Sequence, residues 1–133
     1  MRRVVVTGLG IVSSIGTSKD AVLASLKAGK SGITANADMA EHGFRSQVAG
    51  AIDIDLTEHV DKRTLRFMGP GAAYAHIAMG QAIADAGLTE ADVVNPMTGL
   101  IAGSGGPSTS AMLAAHETVL KTGGTKRVGP FAV

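Results

Sequence analysis

The sequence predicts an α/β domain with a mainly parallel β-sheet, from two covered strands and the helices that separate them. Residues 4–7 and 99–102 are continuous runs of β-branched or apolar residues, the pattern of a strand covered on both faces. Residues 72–86 are rich in alanine and are long enough to indicate a helix. Strands that alternate with helices are typical of a parallel sheet, because parallel neighbours need a crossover connection.

The first half of the chain predicts one clear helix and then a region with weaker patterns. Thr17 and Asp20 fit a capping box, apolar residues follow at helical spacing, and Gly29 predicts the end of the helix. Residues 30–59 are rich in turn-forming residues. Within them, weak alternation predicts one short strand at 47–54.

The second half predicts the longest helix of the chain. Pro70 introduces the segment 72–86 and Gly87 closes it, and its apolar residues surround the helix almost completely. We therefore expect this helix to be buried, with small side chains that allow close neighbours. The remaining predicted elements are a helical turn that begins at a capping box of Thr89 and Asp92, a glycine-rich bend at 103–107 and a helix at 110–121.

The end of the chain predicts how the sequence is organised. Residues 128–133 are mostly apolar and lack the polar character of a fraying terminus. We find no internal repeat and no linker. The expectation is that residues 1–133 form part of one domain, with no second domain, and that the fold continues past Val133.

Composition excludes several classes of function. The 133 residues contain no Cys, so disulfides, thiolate metal sites and a cysteine nucleophile are absent from this stretch. The net charge of +1 and the aromatic content of 3% disfavour nucleic-acid binding. The residues around the first predicted strand lack the pattern of a signal peptide, and no apolar run approaches the roughly 20 residues that span a bilayer. We therefore expect a cytoplasmic location and no membrane association.

Two glycine-rich segments resemble phosphate-binding loops only in part. Residues 8–13 match the dinucleotide fingerprint except that Ser13 replaces the third Gly or Ala. No second strand with an acidic residue follows at about the 20-residue distance that ribose recognition requires. Residues 103–107 lack the lysine of a P-loop. Structural turns are the preferred interpretation, and a Rossmann nucleotide site remains the alternative for residues 8–13.

Histidines and charged clusters give no strong chemical signal by themselves. The four histidines have no metal-ligand spacing, so we expect neither a metal nor a cofactor. A cluster of acidic residues at 53–61 fits a solvated stretch better than a pair of catalytic acids. Two basic clusters lie at 62–66 and 121–127, and residue pattern alone favours an ordinary wet surface for both.

Six segments of the chain resemble, in order, the β-ketoacyl-[acyl-carrier-protein] synthases, the elongating condensing enzymes of fatty-acid synthesis. The likeness extends over the whole chain and is greatest to the type I synthases. The segments are Arg2–Gly16, Gly29–Ile33, Asp61–Met68, Gln81–Leu88, Gly99–Gly106 and Val128–Pro130.

The resemblance implies a thiolase-like fold, in which two related α/β halves stack into five layers and the enzyme acts as a homodimer. Residues 1–133 would supply only the opening part of the first half. The catalytic Cys and two assisting His of the family would follow after this chain, so we expect no catalytic residue within it. The chain by itself should be inactive.

The resemblance also implies two binding regions. Basic residues would dock the acidic acyl-carrier protein, namely Lys62, Arg63, Arg66, Lys126 and Arg127. Gly106 and Pro107 would line the acyl pocket, where a bulky aliphatic residue is usual at the first position in type II enzymes. Pro107 departs from the glycine-rich continuation of the family. The alternative function is a catalytically inactive module that binds the carrier protein.

Overall fold

The computed structural model describes residues 2–129, which divide into two compact units. Unit 1 contains the residues up to Asp55 together with Ile77–Thr89. Unit 2 contains Leu56–His76 together with the residues from Glu90 onward. The predicted division into domains stays a prediction.

Unit 1 begins its secondary structure with helix α1, Lys19–Lys27. The sequence predicts Thr17 as the N-cap, and this is wrong by one residue. Ser18 has the extended backbone of a cap and its hydroxyl accepts a hydrogen bond from the Ala21 amide at 3.3 Å. Gly29 has φ +62°, as predicted for the residue that ends the helix.

A small antiparallel sheet follows α1 in unit 1. Strand β1, Thr34–Ala35, pairs with β2, Val48–Ala49, and helix α2, Ala37–Glu41, lies between them in sequence. The strand predicted at 47–54 is therefore confirmed over two residues only. Because apolar and polar residues alternate only weakly in that segment, it has no clear apolar face to bury. This limits the length of the ladder.

The extended residues after the first predicted strand pack directly on helix α4, Pro70–Asp85. A Cβ atom on Gly10 would overlap the Ala78 carbonyl oxygen, and one on Gly8 would lie 2.7 Å from the Ala86 Cβ. Only glycine permits backbone to approach a helix this closely. The residues 8–10 thus belong to the scaffold of unit 1.

Unit 2 contains a 3₁₀ turn at Leu56–Glu58, helix α3 at Lys62–Leu65, the start of α4, helix α5 at Glu90–Val93 and helix α6 at Thr109–Thr122. Capping residues determine both ends of α6. The Ser108 hydroxyl accepts from the Ala111 amide at 3.3 Å, and Gly123 has a left-handed backbone with φ +69°. The predicted helix at 110–121 is confirmed.

The strands predicted at 4–7 and 99–102 form no ladder within residues 2–129. Val4 is 96% exposed and Ile101 is 97% exposed. A continuous apolar run indicates a preference for burial on two faces, but a strand exists only where a neighbour supplies hydrogen bonds. The part of the chain that is described provides no such neighbour for either segment.

Helix α4 is less buried than its composition predicts. Its closing glycine is confirmed, since Gly87 has φ +65°. Ala73 and Ile77 are buried, whereas Ala72 and Ala75 are exposed. A segment rich in alanine can remain helical without burial, because alanine has the highest intrinsic helix propensity. No helix within 2–129 is long and apolar enough to cross a membrane.

Candidate functional site

The first candidate feature of unit 2 is a cavity of about 390 Å³, here called the arginine cavity. Arg66 and Phe67 follow α3 on one side, and Arg127 and Val128 lie on another. Alanines of α6 provide much of the wall, including Ala111. The fold therefore brings together two cations that are 61 residues apart in sequence, at positions 66 and 127.

Helix α3 carries the first basic cluster and depends on Asp61 for its start. The Asp61 carboxylate accepts hydrogen bonds from the Arg63 amide at 2.8 Å and the Thr64 amide at 3.2 Å. It also accepts a short hydrogen bond from the Thr64 hydroxyl. The Thr64 hydroxyl, followed by the Arg63 amide, lowers the pKa of Asp61, because these donors favour the ionised carboxylate.

The five predicted docking cations are all exposed to solvent. The ion pairs among residues 2–129 are Lys19 with Asp85 and Lys121 with Glu117, so none of the five engages a carboxylate there. The Arg66 guanidinium carbon lies 5.8 Å from the centre of the Phe67 ring, within cation–π range. The five side chains therefore keep their positive charge exposed to solvent.

The structure assigns the predicted docking residues to different positions. Arg66 and Arg127 line the arginine cavity. Lys62 and Arg63 lie in α3 and Lys126 precedes Arg127, and none of these three lines that cavity within the described chain. The sequence did not indicate the contribution of Phe67 to this cavity, although its position next to Arg66 was a usable signal for a cation–π pair.

The second candidate feature of unit 2 is a larger cavity of about 930 Å³, here called the glycine-loop cavity. Gly106 and Pro107 both line it, as expected for residues of an acyl pocket, together with Ala72 and Ala75 of α4. Its volume is within the range of small-molecule sites, and most of its wall is apolar, as in such sites. The structure thus gives both predicted residues a common cavity, while their acyl-binding role remains a proposal.

The loop that carries Gly106 is held by a serine side chain. The Ser104 hydroxyl donates to the Gly106 carbonyl at 2.7 Å and lies 3.4 Å from the Gly106 amide nitrogen. A Cβ atom built on Gly106 meets no heavy atom within 4 Å. The position of a Cβ atom at residue 106 is therefore open space.

Residues 8–13 do not form a phosphate cradle. The Leu9 amide donates to an Asp85 carboxylate oxygen at 3.1 Å, and the Ile11 amide donates to the Gln81 side chain at 2.9 Å. A phosphate needs free amides and no adjacent negative charge, so these contacts oppose the nucleotide alternative. Residues 8–13 are therefore better interpreted as a structural turn than as a nucleotide site.

Within residues 2–129, no group of three or more His, Asp or Glu lies close enough together to hold a metal ion. One histidine has a local structural partner, since His42 Nδ1 lies 2.8 Å from the Asp38 carbonyl oxygen. The two candidate features therefore depend on cations, glycines and apolar walls.

Known proteins are similar to this chain over its full length. The chain is 52% identical over 133 residues to 3-oxoacyl-[acyl-carrier-protein] synthase 1 of Haemophilus influenzae, and 48% identical over 134 residues to the protein of the same name from Escherichia coli K12. Both alignments cover 100% of this chain and 33% of the relative. The chain therefore spans about one third of the length of these relatives.

Solved structures confirm the predicted thiolase-like α/β class. The ishigamide ketosynthase/chain length factor superposes with a TM-score of 0.79 at 29% identity, over 96% of this chain and 32% of that one. The family described as the β-ketoacyl synthase N-terminal domain matches residues 1–132. The resemblance noted from the sequence motifs is thereby confirmed, and the chain belongs to the β-ketoacyl synthase family.

Proposed function

We propose that this chain is part of a 3-oxoacyl-[acyl-carrier-protein] synthase of type I, and that it contributes carrier docking and acyl-chain accommodation. The observation that carries the proposal is the arginine cavity, where Arg66 and Arg127 combine exposed positive charge with an apolar wall. An acidic protein is the partner that such a surface attracts. The glycine-loop cavity supplies apolar space of a size suited to an acyl chain.

The reaction of the whole enzyme would be a decarboxylating Claisen condensation. An acyl group passes from the carrier thioester to an enzyme cysteine, and the carrier thiol leaves. Malonyl carrier protein then loses carbon dioxide, and the resulting carbanion attacks the acyl-enzyme carbonyl. A carbon–carbon bond forms as the enzyme carbon–sulfur bond breaks. The cysteine and two histidines for these steps lie outside residues 1–133, by resemblance to the family.

The partners and location follow from the same proposal. The carrier protein is the acidic partner, the complete enzyme is a homodimer, and the location is cytoplasmic. A glycine at position 106 supports the type I assignment, because the bulky residue usual in type II enzymes would occupy the open space beside it. Among the described residues this part of the chain offers binding features only, so we expect no turnover from it alone.

Charge reversal in the complete synthase tests the docking proposal. Lys62→Glu combined with Arg66→Glu should reduce the association rate with acyl-carrier protein by about tenfold or more at low salt, because steering depends on the local field. Stopped-flow binding measures this rate, and steady-state assays measure 3-oxoacyl product. Lys30→Glu is the matched control, since Lys30 is an exposed cation outside both cavities.

The outcomes separate the two candidate functions. Slower association with intact product formation at saturating carrier supports a synthase that docks through α3. Carrier binding without any 3-oxoacyl product identifies the inactive binding module instead. Equal association rates for the double variant and Lys30→Glu would remove α3 from the docking surface.

A further inference from the structure

Asp61 is an unexpected residue at the edge of a surface proposed to attract an acidic protein. It lies directly before Lys62 and Arg63, and its pKa is lowered, so it is ionised at neutral pH. A carboxylate at this point opposes the attraction of an acidic partner. Electrostatics alone would therefore favour a neutral residue at position 61.

The contacts of Asp61 are directed at the backbone and not at the cations. Its carboxylate accepts from the Arg63 and Thr64 amides and from the Thr64 hydroxyl. Its carbonyl oxygen accepts from the Leu65 amide at 3.0 Å. No ion pair between Asp61 and Lys62 or Arg63 occurs within residues 2–129. The negative charge thus organises the helix while leaving the basic side chains unneutralised.

Helix α3 needs this organisation because it has only four residues, Lys62–Leu65. Isolated helices shorter than about 12 residues are marginally stable in water, because the first turn fixes several backbone dihedrals and gains only one hydrogen bond. Unpaired amides at the start make up most of the donors of so short a helix. The N-cap therefore has more influence on α3 than on the longer helices of this chain.

The orientation of three cations depends on whether α3 is formed. Lys62 and Arg66 are four residues apart, so a helical turn brings them to one face. Arg66 caps the C-terminal end of α3 and begins the segment that lines the arginine cavity. Loss of the turn would separate these charges without removing any of them.

We propose that Asp61 is a positioning residue for carrier docking, which holds Lys62, Arg63 and Arg66 in the arrangement that the carrier protein meets. This inference rests on the proposed function of the α3 surface. It makes Asp61 favourable to the docking of an acidic protein, although its charge has the wrong sign for that partner.

Two substitutions separate the cap from the charge. Asp61→Asn and Asp61→Ala both remove one negative charge, but asparagine keeps one side-chain oxygen that can accept from the cap amides and alanine keeps none. In the complete synthase, Asp61→Asn should leave the KM for carrier protein unchanged or lower it by up to about twofold at low salt. Asp61→Ala should raise the same KM by about fivefold, the factor that corresponds to one lost cap.

Further readouts exclude a general loss of structure. We expect kcat at saturating carrier and the acyl chain-length profile to stay at wild-type values in all variants. Asp61→Ser should restore the KM, because serine caps without charge. Thr64→Val removes one of the three hydrogen bonds to the Asp61 carboxylate and changes no charge, so it should raise the KM by less than Asp61→Ala, because the Arg63 and Thr64 amides keep their acceptor. This variant also keeps the test decisive if Asp61→Ala fails to fold.

The possible results give distinct answers. Opposite effects of alanine and asparagine, with rescue by serine, support positioning by Asp61. Equal decreases in KM show that Asp61 acts only as a repelling charge, and equal increases show that the charge itself is required; either result overturns the inference. A wild-type synthase that forms no 3-oxoacyl product would instead contradict the proposed function, independently of any Asp61 variant.

Discussion

Two glycine-rich segments of this chain have similar composition and opposite surroundings. In unit 1, Gly8 and Gly10 lie against the backbone of α4, where an added Cβ would meet helix atoms. In unit 2, Gly103, Gly105 and Gly106 have no heavy atom within 4 Å of such a Cβ. Glycine in the first segment allows close packing, whereas glycine in the second leaves space. The same residue type therefore marks a scaffold in one unit and an opening in the other.

Hydrogen bonding explains why the first segment is fixed. Gln81 and Asp85 are four residues apart on α4, so they lie on one face. Gln81 accepts a hydrogen bond from the Ile11 amide, and Asp85 accepts one from the Leu9 amide. Gln81 also donates to the Thr17 carbonyl at 2.7 Å. In the second segment, the hydrogen bonds of the Ser104 side chain among the described residues are to Gly106 of the same loop.

Gly10→Ala is expected to have the largest effect on stability. The new methyl group would overlap the Ala78 carbonyl, which is backbone and cannot rotate away. We expect a loss of about 3 kcal/mol in the free energy of unfolding, at the upper end of overpacking effects. Urea denaturation of the complete synthase measures it. Gly105→Ala is the control and should stay within about 0.5 kcal/mol of wild type. Equal losses for both variants would contradict the difference between the segments.

Gln81→Ala is expected to have the next largest effect. The substitution leaves the Ile11 amide and the Thr17 carbonyl without their part-buried partner. The cost of such unsatisfied groups is about 1–3 kcal/mol. Hydrogen exchange at the Ile11 amide should accelerate together with the loss of global stability. Unchanged exchange at Ile11 would show that the Gln81 contact is not what holds the extended segment.

Sequence patterns predicted the local features of this fold better than the non-local ones. The helix at 110–121 was found because its spacing and its flanking residues are adjacent in sequence. The packing of Gly10 on α4 was missed, since it joins residues about 70 positions apart. Strands at 4–7 and 99–102 were predicted from apolar content, but a ladder depends on partners that a single segment does not reveal.

The candidate site shows the same limit. The cations Lys62, Arg63 and Arg66 were identified as a docking group by resemblance, and the structure has Lys62 and Arg63 in α3 and Arg66 at its C-terminal cap. Arg127 was assigned to the same partner, but its shared cavity with Arg66 required the folded chain. A basic pattern indicates the chemistry of a surface, whereas the approach of distant cations depends on tertiary packing.

Gly106→Ile tests the open segment through specificity. The isoleucine side chain should fill part of the glycine-loop cavity and reduce kcat/KM for long acyl chains relative to short ones by about tenfold, the usual scale for altered apolar contacts. Assays with acyl-carrier proteins of graded chain length measure the ratio. Gly105→Ile is the matched control, because Gly105 does not line that cavity in the described structure. An identical profile for both variants would remove Gly106 from the acyl path.

Asp85→Asn is expected to have the smallest effect on stability, and this effect should disappear in acid. The Lys19 side chain, followed by the Leu9 amide, lowers the pKa of Asp85, so the folded state favours the carboxylate. A lowered pKa stabilises the fold above the ordinary carboxyl range of about 4, and this contribution is lost as the pH falls through the folded-state value. Asparagine keeps an acceptor for Leu9 but does not titrate.

The wild-type synthase should therefore be slightly more stable than Asp85→Asn near neutrality, by a small margin because the pair is solvent-exposed, and should lose this margin between about pH 5 and pH 2. Thermal melts across this range measure the difference in slope. Asp20→Asn is the control, since Asp20 lies beside Lys19 in sequence but does not bond the extended segment within residues 2–129. If the stability of wild type and Asp85→Asn falls in parallel with pH, then the hydrogen bond to the Leu9 amide, and not the charge of Asp85, joins the glycine segment to α4.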